Sequence, residues 1–120
     1  MKYFNLSEFA CKCGHCGGGE EHMSLKLLEC LDHAREVAGI PFVISSGFRC
    51  EVHNREVGGV PGSAHTKGLA VDIRCNTSQN RWKILKGLFA AGFERIELAP
   101  TWIHADVDIT KPRPSAFYPS

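Results

Sequence analysis

The chain has 120 residues, 14 of them basic and 13 acidic, for a formal net charge of +1. That length reads as one domain, residues 1–120, able to bury roughly two-thirds of its unfolded surface. Balanced charge argues against a polyanion-binding surface, and no apolar run approaches the ~20 residues of a membrane span.

The opening Met1-Lys2-Tyr3-Phe4-Asn5-Leu6 lacks the apolar region of a signal peptide, so synthesis in the cytoplasm is expected. Six cysteines are many for this length. Without a secretory leader, metal binding or reduced thiols are expected ahead of disulfides.

Residues 1–10 read as an entry segment, with one helical turn at Leu6-Ser7-Glu8-Phe9-Ala10 capped by Ser7. A glycine-rich loop follows, Cys11-Lys12-Cys13-Gly14-His15-Cys16-Gly17-Gly18-Gly19. Its three thiols, with His15, His22 or a distant cysteine, could hold a second, structural zinc. The C-x-C-x-x-C pattern lacks the paired C-x-x-C spacing of zinc ribbons, and a flexible loop of reduced thiols is the alternative.

Ser24 is placed to cap a helix running to about Ala38, with Leu25, Leu28, Leu31, Ala34, Val37 and Ala38 along one face. Gly39 stops it. Residues 42–45 read as a short buried strand that delivers Ser46-Gly47-Phe48-Arg49 to its end, where active residues are often displayed. Residues 50–57 read as a short helix. Cys50 and Cys75 are candidate neighbours for a disulfide if oxidised.

The stretch from Gly62 to Ile73 carries the chemistry. Residues 69–73 alternate apolar and other residues and read as a strand. His65 precedes it on a loop opened by Gly58, Gly59, Pro61 and Gly62. A chain that doubles back at Gly68 brings the imidazole beside Asp72. Thr77 or Ser78 then caps a second helix, about residues 79–91, with Trp82, Leu85, Leu88 and Phe89 as its apolar face and Gly92 at its end.

Residues 94–98 and 101–108 read as a hairpin around Ala99-Pro100 and place His104 on a strand. Two histidines and a carboxylate, His65, Asp72 and His104, leave a fourth position free, as a catalytic zinc requires. The proline-rich tail, residues 111–120, is expected to lie extended along the surface. The expected fold class is α+β: two main helices packed on a small, mainly antiparallel sheet.

Ser63-x-His65-x-x-Gly68-x-Ala70-x-Asp72, followed by a strand-borne His104, resembles the zinc D-alanyl-D-alanine carboxypeptidase family of peptidoglycan peptidases. Ser46-Gly47-Phe48-Arg49, Asn54 and Gly58-Gly59 strengthen the likeness, which spans about residues 4–108. The resemblance implies a zinc peptidase acting on the peptide part of bacterial peptidoglycan, as a monomer. It implies a role for Arg49 in binding a substrate carboxylate or stabilising an oxyanion; a loop-closing salt bridge is the plainer reading.

Relatives often carry a glutamate three residues before the last histidine ligand, or a histidine two before it. Thr101 and Trp102 stand there instead, and neither can be that base. Glu97 is the first candidate. A two-residue turn at Ala99-Pro100 or Pro100-Thr101 sets it opposite Trp102 or His104 respectively, on the face of His104 in both cases; a three-residue turn would reverse it. Asp106 shares that face in any register and is the second candidate, or it orients a ligand histidine. Ser63 is assigned to the loop or to substrate contact, and Trp102 to the cleft wall.

A phage or prophage lysis enzyme released through a holin is the expected setting, with bacterial wall remodelling as the runner-up. The hedgehog signalling domain is similar at such a site yet acts by binding, so a non-catalytic zinc module is the alternative function. A nucleic-acid-binding zinc protein built on Cys11–Cys16 is disfavoured by the charge balance.

Overall fold

The computed structural model describes residues 1–118. Strand alternation decides which residues meet. The five strands are β1 (Ile44–Ser46), β2 (Ala70–Arg74), β3 (Arg95–Leu98), β4 (Trp102–Asp106) and β5 (Ser115–Phe117). They form one sheet in the order β1-β2-β4-β3-β5. All neighbouring pairs are antiparallel except β3 and β5, which run parallel.

One face of the sheet is apolar: Ile44, Val71, Ile73, Ile96, Ile103 and Ala105 are all buried. The helices α1 (Leu25–Ala38) and α3 (Ser78–Ala90) belong to the same core, through Leu27, Leu31, Ala34, Ile84 and Leu88. Burying each of the Val, Leu and Ile side chains contributes about 1.5–3 kcal/mol before chain entropy is set against it. The architecture is α+β, two main helices on a mainly antiparallel sheet.

Capping follows local chemistry. The Ser24 hydroxyl accepts the Leu27 N–H at 3.3 Å, and Gly39, with φ 71°, closes α1. Thr77, not Ser78, caps α3, its hydroxyl accepting the Asn80 N–H at 3.1 Å. Ser7 caps nothing. It lies inside a 3-10 turn, Leu6–Phe9, which begins at Asn5, whose N–H donates to the Glu8 carboxylate at 2.7 Å.

Expectations change for the faces of both helices and for Cys50 and Cys75, while the tail lies extended as expected and gains a strand pairing. Trp82 is 64 % exposed and Phe89 also faces solvent; the buried stripe of α3 is Ile84, Gly87 and Leu88. The reason is the close approach of α3 to α1 at Gly87, where a Cβ would run into the Ala34 carbonyl. Leu25 at the start of α1 is likewise exposed. The tail contributes β5, whose Ser115 N–H donates to the Glu94 carbonyl at 2.7 Å; Pro119 and Ser120, its last two residues, lie outside the described part. Cys75 is buried with its thiol 3.5 Å from the Thr77 carbonyl, and Cys50 lies instead beside Cys11.

Candidate metal centre and active site

The register sets one row of side chains across the opposite face of the sheet. Ser46 pairs with Asp72, Asp72 with His104, His104 with Glu97 and Glu97 with Phe117. The adjacent row holds Asp106 and Arg95. Ala99 N–H donates to the Trp102 carbonyl at 3.1 Å, so Pro100-Thr101 is the two-residue turn. This register sets Glu97 directly across from His104.

His65 reaches the row from a 3-10 turn, Ala64–Lys67. Ser63 opens that turn: its hydroxyl accepts the His65 N–H at 3.3 Å, and its carbonyl accepts the Thr66 hydroxyl at 2.7 Å. Gly68, with φ 71°, ends the turn, and a Cβ there would collide with the His22 carbonyl. The chain doubles back into β2, which carries His65 over Asp72.

His65 Nε2 lies 3.3 Å from Asp72 Oδ1, and His104 Nδ1 lies 3.1 Å from the same oxygen. The other nitrogens are held from behind. His65 Nδ1 is 2.8 Å from the Gly47 carbonyl, and His104 Nε2 is 2.7 Å from Asp106 Oδ2. Those two acceptors orient Nε2 of His65 and Nδ1 of His104 toward one point. Donors about 2.0–2.2 Å from a tetrahedral ion stand roughly 3.3–3.6 Å apart, so the three side chains fit a zinc-class ion.

Charge holds the cluster together. Burial works against the Asp72 carboxylate, but hydrogen bonds and charge from His104 and His65 outweigh it and keep its pKa well below the usual carboxylate range. Burial likewise disfavours the His104 cation, yet its hydrogen bonds to Asp106 and Asp72 raise its pKa to about 9. Asp106 is depressed too: its own burial is outweighed by His104, with help from the Asp108 N–H and Arg95.

Arg49 reaches the centre from the loop after β1. Its Nη2 pairs with Asp72 Oδ2 at 3.2 Å, Nε donates to the Ser46 hydroxyl at 3.0 Å and Nη1 to Asn54 Oδ1 at 3.3 Å. Three of five guanidinium donors are thus engaged, leaving two. The plainer reading of Arg49 is therefore present, and its partner is the central carboxylate itself. Asn54, fully buried on the short helix α2 (Glu51–Glu56), also donates to the Val60 carbonyl at 2.9 Å and so ties Arg49 to the loop before His65.

The two carboxylates differ in surroundings. Asp106 is buried, with Oδ1 accepting from Arg95 Nε at 3.0 Å and the Asp108 N–H at 3.1 Å. Glu97 is half-buried and lines the cleft. That cleft, of about 310 Å³, has His65, Asp72 and His104 within it, and Ser63, Arg49, Glu97 and Trp102 around it.

Phe117 and Arg95 are among the cleft residues that the sequence did not point to, as is Lys111. Phe117 of β5 stands with its ring 6.3 Å from that of His104, and the Arg95 guanidinium lies 4.8 Å from the Phe117 ring. Arg95 was detectable by alternation, two residues before Glu97. Phe117 was not, because nothing local in the tail announces parallel pairing. Among the described residues, no helix is long and apolar enough to cross a membrane.

No curated protein matches the sequence. A family model described as Peptidase M15 matches residues 2–106, a span that contains the histidines, carboxylates and arginines of the cleft, and the chain belongs to the Peptidase M15 family.

Proposed function

We propose that the protein is a zinc peptidase that hydrolyses peptide bonds in the peptide part of bacterial peptidoglycan, as a D-alanyl-D-alanine-type carboxypeptidase or endopeptidase. The observation that carries the reading is the His65–Asp72–His104 donor set, open toward a cleft that also presents Arg49 and Glu97. His65, Asp72 and His104 would hold the zinc, which when bound supplies Lewis acidity toward the scissile carbonyl and lowers the pKa of water. Catalytic zinc sites take three protein ligands, and this set has three.

The remaining roles belong to the chain's own groups. Glu97 takes the proton of the attacking water and returns it to the leaving amine. Arg49 offers its two free donors to a substrate carboxylate or to the developing oxyanion. Asp106 fixes the ring of His104 and is not the base, since its oxygens already face His104, Arg95 and the Asp108 amide. Ser63 shapes the loop that carries His65, and Trp102 walls the cleft. Residues 1–120 act as one catalytic domain. The setting is a phage or prophage lysis enzyme made in the cytoplasm, with wall remodelling by the bacterium as the other.

One observation favours a second reading. Thr101 and Trp102 occupy the positions where relatives carry their base, which suits a zinc module that binds without turnover. Digestion of purified muropeptides by the zinc-loaded protein, followed by mass spectrometry, separates the two. Loss of a terminal D-alanine, or scission of a stem or cross-link, is expected. Intact muropeptides from every wall type tested, with zinc bound, would leave the binding module.

A further inference from the structure

Four of the six cysteines meet at one place, away from the histidine cluster. Cys11, Cys13 and Cys16 come from the N-terminal loop, and Cys50 comes from the residue after Arg49. One sulfur from each lies within 4.8 Å of all the others. All four are free thiols, and the Cys11–Cys50 separation of 3.8 Å is far beyond a disulfide bond of about 2.05 Å. It matches the roughly 3.8 Å between sulfurs that each stand about 2.3 Å from a tetrahedral zinc.

We propose that Cys11, Cys13, Cys16 and Cys50 form a closed tetrathiolate site for a structural zinc-class ion, which locks the Arg49 loop to the N-terminal segment.

The backbone around the sulfurs is shaped for thiolate. His15 N–H points at Cys13 Sγ at 3.4 Å, Cys50 N–H at Cys11 Sγ at 3.4 Å, and His53 N–H at Cys50 Sγ at 3.4 Å. Such donors stabilise ligand sulfurs as neighbouring groups stabilise other metal ligands. Gly14 and Gly17, each directly after a cysteine, have φ of 80° and 84°, a left-handed turn that a side chain would strain. The Cys11 N–H closes the loop on the Gly18 carbonyl at 2.7 Å.

Four thiolates gathered this closely repel one another unless a cation sits among them, and soft sulfur selects zinc over magnesium or calcium. With four protein ligands the site has no open position, so its role is structural. What it holds is specific. Phe48 N–H donates to the Phe9 carbonyl at 2.8 Å, and Gly47 packs against the backbone of Phe9. Gly47 in turn orients His65, and Arg49 touches Asp72. The thiolate site therefore ties the Cys50 end of the segment that supports the other centre to the N-terminal stretch whose Phe9 backbone holds its Gly47–Phe48 end, whatever that centre does.

The test is metal analysis of protein purified under reducing conditions, with cobalt(II) as a spectroscopic probe. Wild type is expected to hold about two zinc ions per chain. A His65→Ala/His104→Ala variant should keep one, and its cobalt form should show thiolate-to-metal charge-transfer absorption. Cys50→Ser should lose that absorption and retain one ion at the histidine centre. If Cys50→Ser does not fold, the wild type still decides the matter: about four thiols should become reactive toward a thiol reagent only as a chelator removes metal. One ion in the wild type and none in the histidine variant would overturn the proposal. So would four thiols that react fully before chelation, or disulfides among the four in reduced preparations.

Discussion

Besides Asp72, two carboxylates stand near His104, Asp106 and Glu97, and their partners separate what each can do. Asp106 faces His104 Nε2 and Arg95 from a buried position, while Glu97 borders the cleft. Glu97→Gln keeps size and polarity but accepts no proton at neutral pH, so a rate loss of about 10²–10⁴ is predicted, with zinc content and melting temperature retained. Asp106→Asn is predicted to weaken zinc binding about 10–100-fold in a competitive chelator titration. An active Glu97→Gln protein together with a dead, zinc-replete Asp106→Asn protein would move the base to Asp106. Arg49→Lys keeps a charge near Asp72 but loses the planar fork. A fall of about 10²–10³ in turnover is expected, with a melting temperature shifted by only a few degrees. Unchanged muropeptide turnover would take Arg49 out of the reaction.

At the scale of elements, the crossing of α1 and α3 is set by one glycine. A Cβ at Gly87 would collide with the Ala34 carbonyl and come within 3.1 Å of Ala38 Cβ. Ala is the better helix former by about 1 kcal/mol, but overpacking costs about 1–3 kcal/mol, so the clash wins. Gly87→Ala is predicted to lower the thermal midpoint, while Lys83→Ala on the exposed side stays close to wild type. A Gly87→Ala protein as stable as wild type would mean the helices do not touch there. The same crossing explains the misread helix face. The expected stripe of Trp82, Leu85, Leu88 and Phe89 is as regular as Ile84, Gly87 and Leu88; it shares Leu88 with the buried one, and its larger apolar side chains favoured it. The need for a close approach selected the second and left Trp82 outside, with Lys86 Nζ 5.6 Å from its ring.

At the scale of the whole molecule, the buried charge cluster makes stability depend on pH. In the metal-free protein His104 has its pKa raised to about 9, against about 6.5 for a free imidazole. Its contribution is therefore present in full below about 6.5 and is lost as pH rises through 9. Asp72 and Asp106 are depressed, so their contribution holds above the ordinary carboxylate value of about 3.9 and is lost as pH falls below it. Metal-free protein is predicted to melt highest between about pH 4 and 6.5, and progressively lower from 6.5 to 9. Zinc requires neutral His104 and must expel that proton, so affinity at this centre should rise about tenfold per pH unit up to 9 and level off above. Chelator competition across this range checks it; a flat profile would mean that His104 is not protonated in the metal-free site.

Sequence alone determined what depends on near neighbours. Ser24 and Gly39 bound α1 because a cap needs only its own turn. The doubling back at Gly68 and the grouping of His65 with Asp72 followed from glycine conformation, while strand alternation gave Glu97 the face of His104 only for a two-residue turn. Tertiary structure decided everything that rests on distant partners. It chose Pro100-Thr101 as the turn, which aligned Glu97 with His104. It gave Asp106 to His104 and Arg95, set Phe117 beside the cleft through a parallel strand, and joined Cys50 to Cys11 and not to Cys75. Each of these pairings is set by the order of strands in the sheet and by which loops that order brings together, and no local propensity encodes it.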